Sequence, residues 1–107
     1  MTVQQLTVAA LQTKLTQPDA LVLLDVREPR EFDYAHINGS ILIPLQQLPQ
    51  RLHELKPESE IAVICHHGMR SQQAAEYLVY AGFSNVFNVK GGIDAWSLVC
   101  DTDVPRY

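Results

Sequence analysis

Two uninterrupted apolar runs, Leu21-Val22-Leu23-Leu24 and Ile61-Ala62-Val63-Ile64, each stop abruptly at a residue able to do chemistry, Asp25 in one and Cys65 in the other. A strand with one wet face alternates apolar and polar residues. A run without alternation is buried on both faces, the condition of a parallel sheet covered by helices. Parallel neighbours need a crossover between them, and the intervening segments carry helical periodicity. If the two runs pair in parallel, Asp25, Arg27 and Cys65 reach the same carboxyl edge of the sheet, where open α/β sheets bind ligands.

The remaining segments fit that plan. Val3 to Leu6 reads as a short edge strand. Thr7 then caps a helix to about Leu15, because Val8, Leu11 and Leu15 share a face and Pro18-Asp19 forces a turn. Pro29 suits a first helical position, with Glu31, Phe32 and Tyr34 in a short helix ending before His36-Ile37-Asn38-Gly39. Ile41-Leu42-Ile43 is a strand stopped by Pro44, and Leu45, Leu48, Leu52 and Leu55 recur at helical spacing that Pro49 breaks or restarts. Lys56 to Ser59 is a loop. Ala74, Ala75, Leu78 and Val79 mark one face of a helix after Ser71, closed by Gly82 as a left-handed cap. Asn85 to Val89 is a fifth strand, and Gly91-Gly92 turns into a last helix with Ile93 and Trp96. The expected fold is α/β, a single open, mostly parallel five-stranded sheet flanked by helices on both faces.

At 107 residues the chain makes one domain, with room for one core. A formal charge of −4 and no cluster of Lys and Arg argue against nucleic acid as a partner. No apolar run approaches the roughly 18 residues of a membrane span, and Met1 to Gln5 lacks the features of a secretory signal, so a cytoplasmic protein with free thiols is expected.

After Cys65 the chain turns polar, takes Gly68, and enters a helix, so the thiol faces a helix start. Such a start, with a short loop of backbone N–H groups, favours an anionic sulfur and an anionic ligand. Arg70 adds a full positive charge suited to a bidentate oxyanion contact. Cys65 is therefore the candidate nucleophile, exposed on its loop, and His66, His67, Gly68, Met69, Arg70 and Ser71 form the candidate substrate cradle. His66 and His67 beside Cys65 do not make a metal site, since adjacent residues rarely converge on one ion and no second ligand pair lies at the right spacing. Asp25, Arg27 and His36 are expected to organise the surrounding loops, Trp96 belongs to the core, and Cys100 is an incidental thiol.

Three stretches together resemble one family. Asp25-Val26-Arg27 with Glu31-Phe32, His36-Ile37-Asn38-Gly39-Ser40 and Ile43-Pro44 is similar to the first signature of rhodanese domains; Cys65 to Ser71 resembles their active-site loop; and Gly91-Gly92-Ile93-Asp94-Ala95-Trp96 resembles their C-terminal motif. The likeness spans residues 1–107 as a single rhodanese-like domain and implies a sulfurtransferase of the thiosulfate:cyanide type. In such an enzyme a Cys65 persulfide carries sulfur from a small anionic donor to cyanide, a thiol or a protein acceptor, with no cofactor or metal. Ala35 departs from the glycine common in the family before His36-Ile37, which bears on a turn.

The related phosphatases and arsenate reductases carry one residue more between the cysteine and the arginine. Here Cys65 and Arg70 enclose four residues, and the tighter loop favours sulfane sulfur over a phosphoryl group. The alternatives are such a phosphatase or arsenate reductase, or a partner-binding sulfur-carrier module.

Overall fold

A computed structural model describes residues 3–17 and 21–107; the turn expected at Pro18-Asp19 lies outside them. Five strands, β1 (Gln4–Leu6), β2 (Val22–Asp25), β3 (Ile41–Leu42), β4 (Glu60–Ile64) and β5 (Asn85–Val89), form one sheet in the order β1-β5-β4-β2-β3. Every pairing is parallel, with Asp25 beside Ile64 and Val63 beside Asn88. The helices are α1 (Val8–Leu15), α2 (Pro29–Tyr34), α3 (Leu48–Arg51), α4 (Met69–Tyr80) and α5 (Gly92–Val99).

Alternate residues of β4 feed two cores. Ile61, Val63 and Cys65 pack with Leu24, Ile43 and Leu48 and with Ala74 and Leu78 of α4, whereas Ala62 and Ile64 join Leu11 of α1 and Ile93 and Trp96 of α5 on the other face. Burial on both sides is why these strands read as unbroken apolar runs. From β2 the chain moves outward to β3 and then returns to the other side of β2 as β4. The strand order therefore reverses between β2 and β4, and the crevice at their carboxyl ends holds Asp25 and Cys65.

Thr7 caps α1 as expected, its hydroxyl accepting from the Ala10 N–H at 3.1 Å. Ala35 has φ −157°, an extended conformation open to any residue, so glycine is not needed there. Three local differences from the sequence reading have physical causes. The Leu45–Leu55 stretch is not one helix but a 3₁₀ turn (Leu45–Gln47), the four-residue α3 and a second 3₁₀ turn (Leu52–Glu54), because Pro49 can sit only in a first turn. β3 ends one residue early, although Ile43 still donates to the Asp25 carbonyl at 3.0 Å before Pro44 removes the next donor. α4 begins at Met69 and not after Ser71, so the loop proper is only His66-His67-Gly68.

Candidate active site

Cys65 follows the last residue of β4 and is 1% exposed, which corrects the expectation of a thiol exposed on its loop. Its burial follows from what lies above it. The carbonyls of Cys65 and His66 accept the N–H groups of Ile93 (2.8 Å) and Asp94 (3.1 Å), tying the loop to the first turn of α5. A side chain at Gly92, which also has φ +61°, would overlap both carbonyls, so this close approach requires glycine. Gly68 at φ +107° turns the chain back so that its own N–H donates to Cys65 Sγ at 3.1 Å. The N–H groups of Met69, Arg70 and Ser71 then open α4, where no intrahelical carbonyl can reach them. Sγ thus sits beneath the positive end of a twelve-residue helix.

On the inner side Sγ lies 3.3 Å from Ser71 Oγ, and Ser71 donates its only hydroxyl proton to Asn88 Oδ1 at 2.5 Å. With that proton on Asn88, the Ser71 oxygen faces Sγ through a lone pair. Asn88 is fixed in turn by donating to Gln5 Oε1 at 3.0 Å, and Gln5 donates to Gln72 Oε1 at 2.8 Å. This polar row, buried at Ser71 and Asn88 and open to solvent at Gln5, joins β1, β5 and α4 behind the cysteine.

Arg27 and Asp25 form the wall at the end of β2. The guanidinium is fully buried and uses all five N–H donors: Nε on Asp25, Nη2 on Asp25 Oδ2 (2.7 Å) and the Ala35 carbonyl, Nη1 on the Glu31 carbonyl and the Tyr107 hydroxyl (2.8 Å). Burial works against its charge, but the hydrogen bonds it donates to Asp25 and Tyr107 win and raise its pKa above the ordinary arginine value. The pair ties the end of β2 to the carbonyls of Glu31 and Ala35 in and after α2. His36 is tied by Nδ1 to the Phe32 carbonyl at 2.7 Å and stacks on Phe32, on the outside of α2.

Arg70 stands in the first turn of α4 with its fork on Glu31 of α2, Nη1 to Oε1 at 2.7 Å and Nη2 to Oε2 at 2.9 Å. The Arg70 hydrogen bonds hold the Glu31 carboxyl down at about 2, and Glu31 raises Arg70 in return. Tyr107 completes this side. Its hydroxyl donates to Glu31 at 2.8 Å and its ring lies 3.9 Å from that of His66, nearly parallel, with His67 stacked beyond at 4.0 Å. Burial lowers the His66 pKa, so the ring is neutral at neutral pH. His67 and Met69 are exposed, Met69 to 82%.

Tyr107 and the carboxylate of Glu31 were not singled out from the sequence as site groups. Glu31 had a signal, lying in the stretch beside Asp25 and Arg27, but nothing in the polar tail marked Tyr107. Cys100 lies elsewhere, half-buried, its Sγ 3.5 Å from the Val8 carbonyl, and burial pushes its thiol up. Among the described residues, no group of three or more His, Cys, Asp or Glu could hold a metal ion, and no helix is long and apolar enough to cross a membrane.

A cysteine buried at the carboxyl end of a central parallel strand, under the start of the next helix, defines a cysteine-centred site on an open α/β sheet. The chain belongs to the rhodanese-like domain family, whose model matches residues 7–98. It is similar to the rhodanese-like/PpiC domain-containing protein 12, chloroplastic, of Arabidopsis thaliana, with 38% identity over 98% of this chain and 38% of that protein. A putative sulfur carrier protein, YrkF, of Bacillus subtilis is 38% identical over 89% of this chain and 51% of that protein, so the chain spans about half of this relative and less of the Arabidopsis one. The thiosulfate sulfurtransferase GlpE of Vibrio cholerae is 37% identical, with 83% of each chain covered. Among solved structures, a rhodanese-like domain protein from Staphylococcus aureus superposes with a TM-score of 0.86 at 28% identity, covering 98% of this chain and 99% of that one. Family membership, with a sulfurtransferase and a putative sulfur carrier among the relatives, supports sulfur handling at the family level.

Proposed function

We propose that the protein is a sulfurtransferase working through a persulfide on Cys65, moving a sulfane sulfur from thiosulfate or a similar donor to cyanide or a thiol. The observation that carries this reading is Cys65 Sγ, buried at the end of β4 with the Gly68 N–H on it at 3.1 Å and the start of α4 above it. The Cys65 thiolate attacks the outer sulfur of thiosulfate, a sulfur–sulfur bond forms, and the outer bond to the sulfonate breaks with its electron pair leaving on sulfite. The persulfide anion is then held by the same backbone donors until an acceptor nucleophile attacks its terminal sulfur and Cys65 departs as thiolate. Burial shields the loaded sulfur from bulk solvent. His66, His67, Gly68, Met69, Arg70 and Ser71 frame the approach, backbone first. No cofactor is needed for this chemistry, a protein thiol can serve as acceptor, and a cytoplasmic setting suits its free thiols.

The short loop supports this over phosphatase or arsenate reductase chemistry. His66 to Gly68 alone separate Cys65 from α4, and the charge of Arg70 is already offset by Glu31, which holds both terminal nitrogens end-on and weakens its pull on phosphoryl oxygens. The test is steady-state transfer from thiosulfate to cyanide. The expected result is ping-pong kinetics, abolished in Cys65→Ser; turnover surviving that substitution, or phosphatase activity exceeding sulfur transfer, overturns the reading.

A further inference from the structure

The arginines at this site already have anionic partners. Arg27 is neutralised by Asp25, and Arg70 places both terminal nitrogens on Glu31. Glu31 is itself held from three sides, by Arg70, by the Tyr107 hydroxyl and by the Glu28 N–H at 3.0 Å, with its side chain only 19% exposed. Tyr107 is locked as well, since its hydroxyl oxygen accepts a hydrogen bond from Arg27, its ring lies on His66, and Tyr34 meets its ring edge-on at 5.9 Å. His66 is neutral. Arg70 and Glu31 together therefore present no net charge beside Cys65, and an anion is drawn in chiefly by the partial charge of backbone N–H groups and a helix end, with only the side-on edge of the offset Arg70 guanidinium uncommitted.

A dianionic donor with a sulfonate gains most from a free arginine fork, because bidentate contacts to charged oxygens are the strong ones. An organic hydropersulfide has no such oxygens and loses nothing when the fork is occupied. Resting on the sulfur-transfer reading above, we infer that Glu31, fixed by Tyr107, is a specificity-determining residue that masks Arg70 and turns the Cys65 site toward organic hydropersulfides and away from thiosulfate. The step balances: the Cys65 thiolate attacks the outer sulfur of R–S–S–H, the new sulfur–sulfur bond forms as the old one breaks, the electron pair leaves on R–S⁻, and the proton stays on the transferred sulfur.

The experiment measures the rate of loading of Cys65 by thiosulfate and by the hydropersulfide of N-acetylcysteamine, which is uncharged and carries no anionic oxygen, followed by mass, in the wild type and in Glu31→Gln, Tyr107→Phe and Arg70→Gln. Removing the mask should raise the thiosulfate-to-hydropersulfide ratio about tenfold in Glu31→Gln, the scale of one hydrogen bond to a charged group. The gain should shrink as salt screens the exposed charge. Tyr107→Phe keeps the ring on His66 and removes only the hydroxyl that steadies Glu31, so it should move the ratio the same way by less. Arg70→Gln leaves Glu31 unpaired and should lower the ratio below the wild-type value. If the wild type loads from either donor and the ratio is unchanged in both Glu31→Gln and Tyr107→Phe, the mask is wrong while sulfur transfer stands. If Cys65 loads from neither donor, both fall together.

Discussion

Arg27 lies wholly inside the protein with every N–H donor committed, whereas Arg70, at the start of α4, keeps about a third of its side chain in solvent and rests on a single carboxylate. The two are linked through one phenol, in the order Arg27, Tyr107, Glu31, Arg70. Removing a buried charge leaves its partner desolvated and unpaired, so Arg27 and Asp25 hold the carboxyl edge of β2 in place. The Arg70–Glu31 pair is open to water on its arginine side, so it is screened more and contributes less to stability than the buried pair, and it is placed to govern what the site attracts. The same residue type thus builds the wall on one side of Cys65 and sets its selectivity on the other, and depth decides which.

The largest effect that can break this comparison is on stability. Arg27→Leu should destabilise the fold by about 3–5 kcal/mol, because Asp25 is left buried without its partner. Thermal unfolding reads this as a fall in Tm of more than about 10 °C. A loss no larger than that of Arg70→Leu would erase the distinction between the two arginines. Acid is the next test. Glu31 titrates at about 2 in the folded protein and near 4.5 when free, so its carboxylate contributes full stability above the higher value and loses it as pH falls toward the lower. In urea unfolding, the advantage of the wild type over Glu31→Gln should therefore shrink steadily between those two pH values; parallel curves would mean that Arg70 does not perturb Glu31 as the geometry requires. The smallest expected effect is at Cys100. Its thiol is half-buried, pushed up by burial and away from the site, so Cys100→Ser should leave both sulfur transfer and Tm nearly unchanged. A large loss of turnover there would make it the acceptor of the Cys65 sulfur.

The elements of this fold that are legible in the sequence are those with strong local physics. The unbroken runs before Asp25 and Cys65 announced strands buried on both faces, and Thr7 announced a helix start through its hydroxyl. What was not legible depends on chain returning from far away. Cys65 looked exposed because a polar loop follows it, but its side chain packs against α4 in one core while Gly92 lets α5 close over its carbonyl from the other face. Met69, Arg70 and Ser71 lack apolar periodicity because a first turn bonds outward, so α4 seemed to begin later than it does. Arg70 read as a free anion receptor, since the carboxylate that engages it is 39 residues earlier. Tyr107 lies 76 residues from Glu31 in a tail with no pattern, and no local rule connects them.

The central claim is that Cys65 carries the sulfur. Mass spectrometry of the intact protein after a brief exposure to a sulfane-sulfur donor, followed by peptide mapping without reductant, tests it most directly. The expected result is one added sulfur atom on the peptide containing Cys65, removed by cyanide with release of thiocyanate, and none on the peptide containing Cys100. An unmodified Cys65 under thiosulfate and hydropersulfide alike, or a sulfur found only on Cys100, would contradict it.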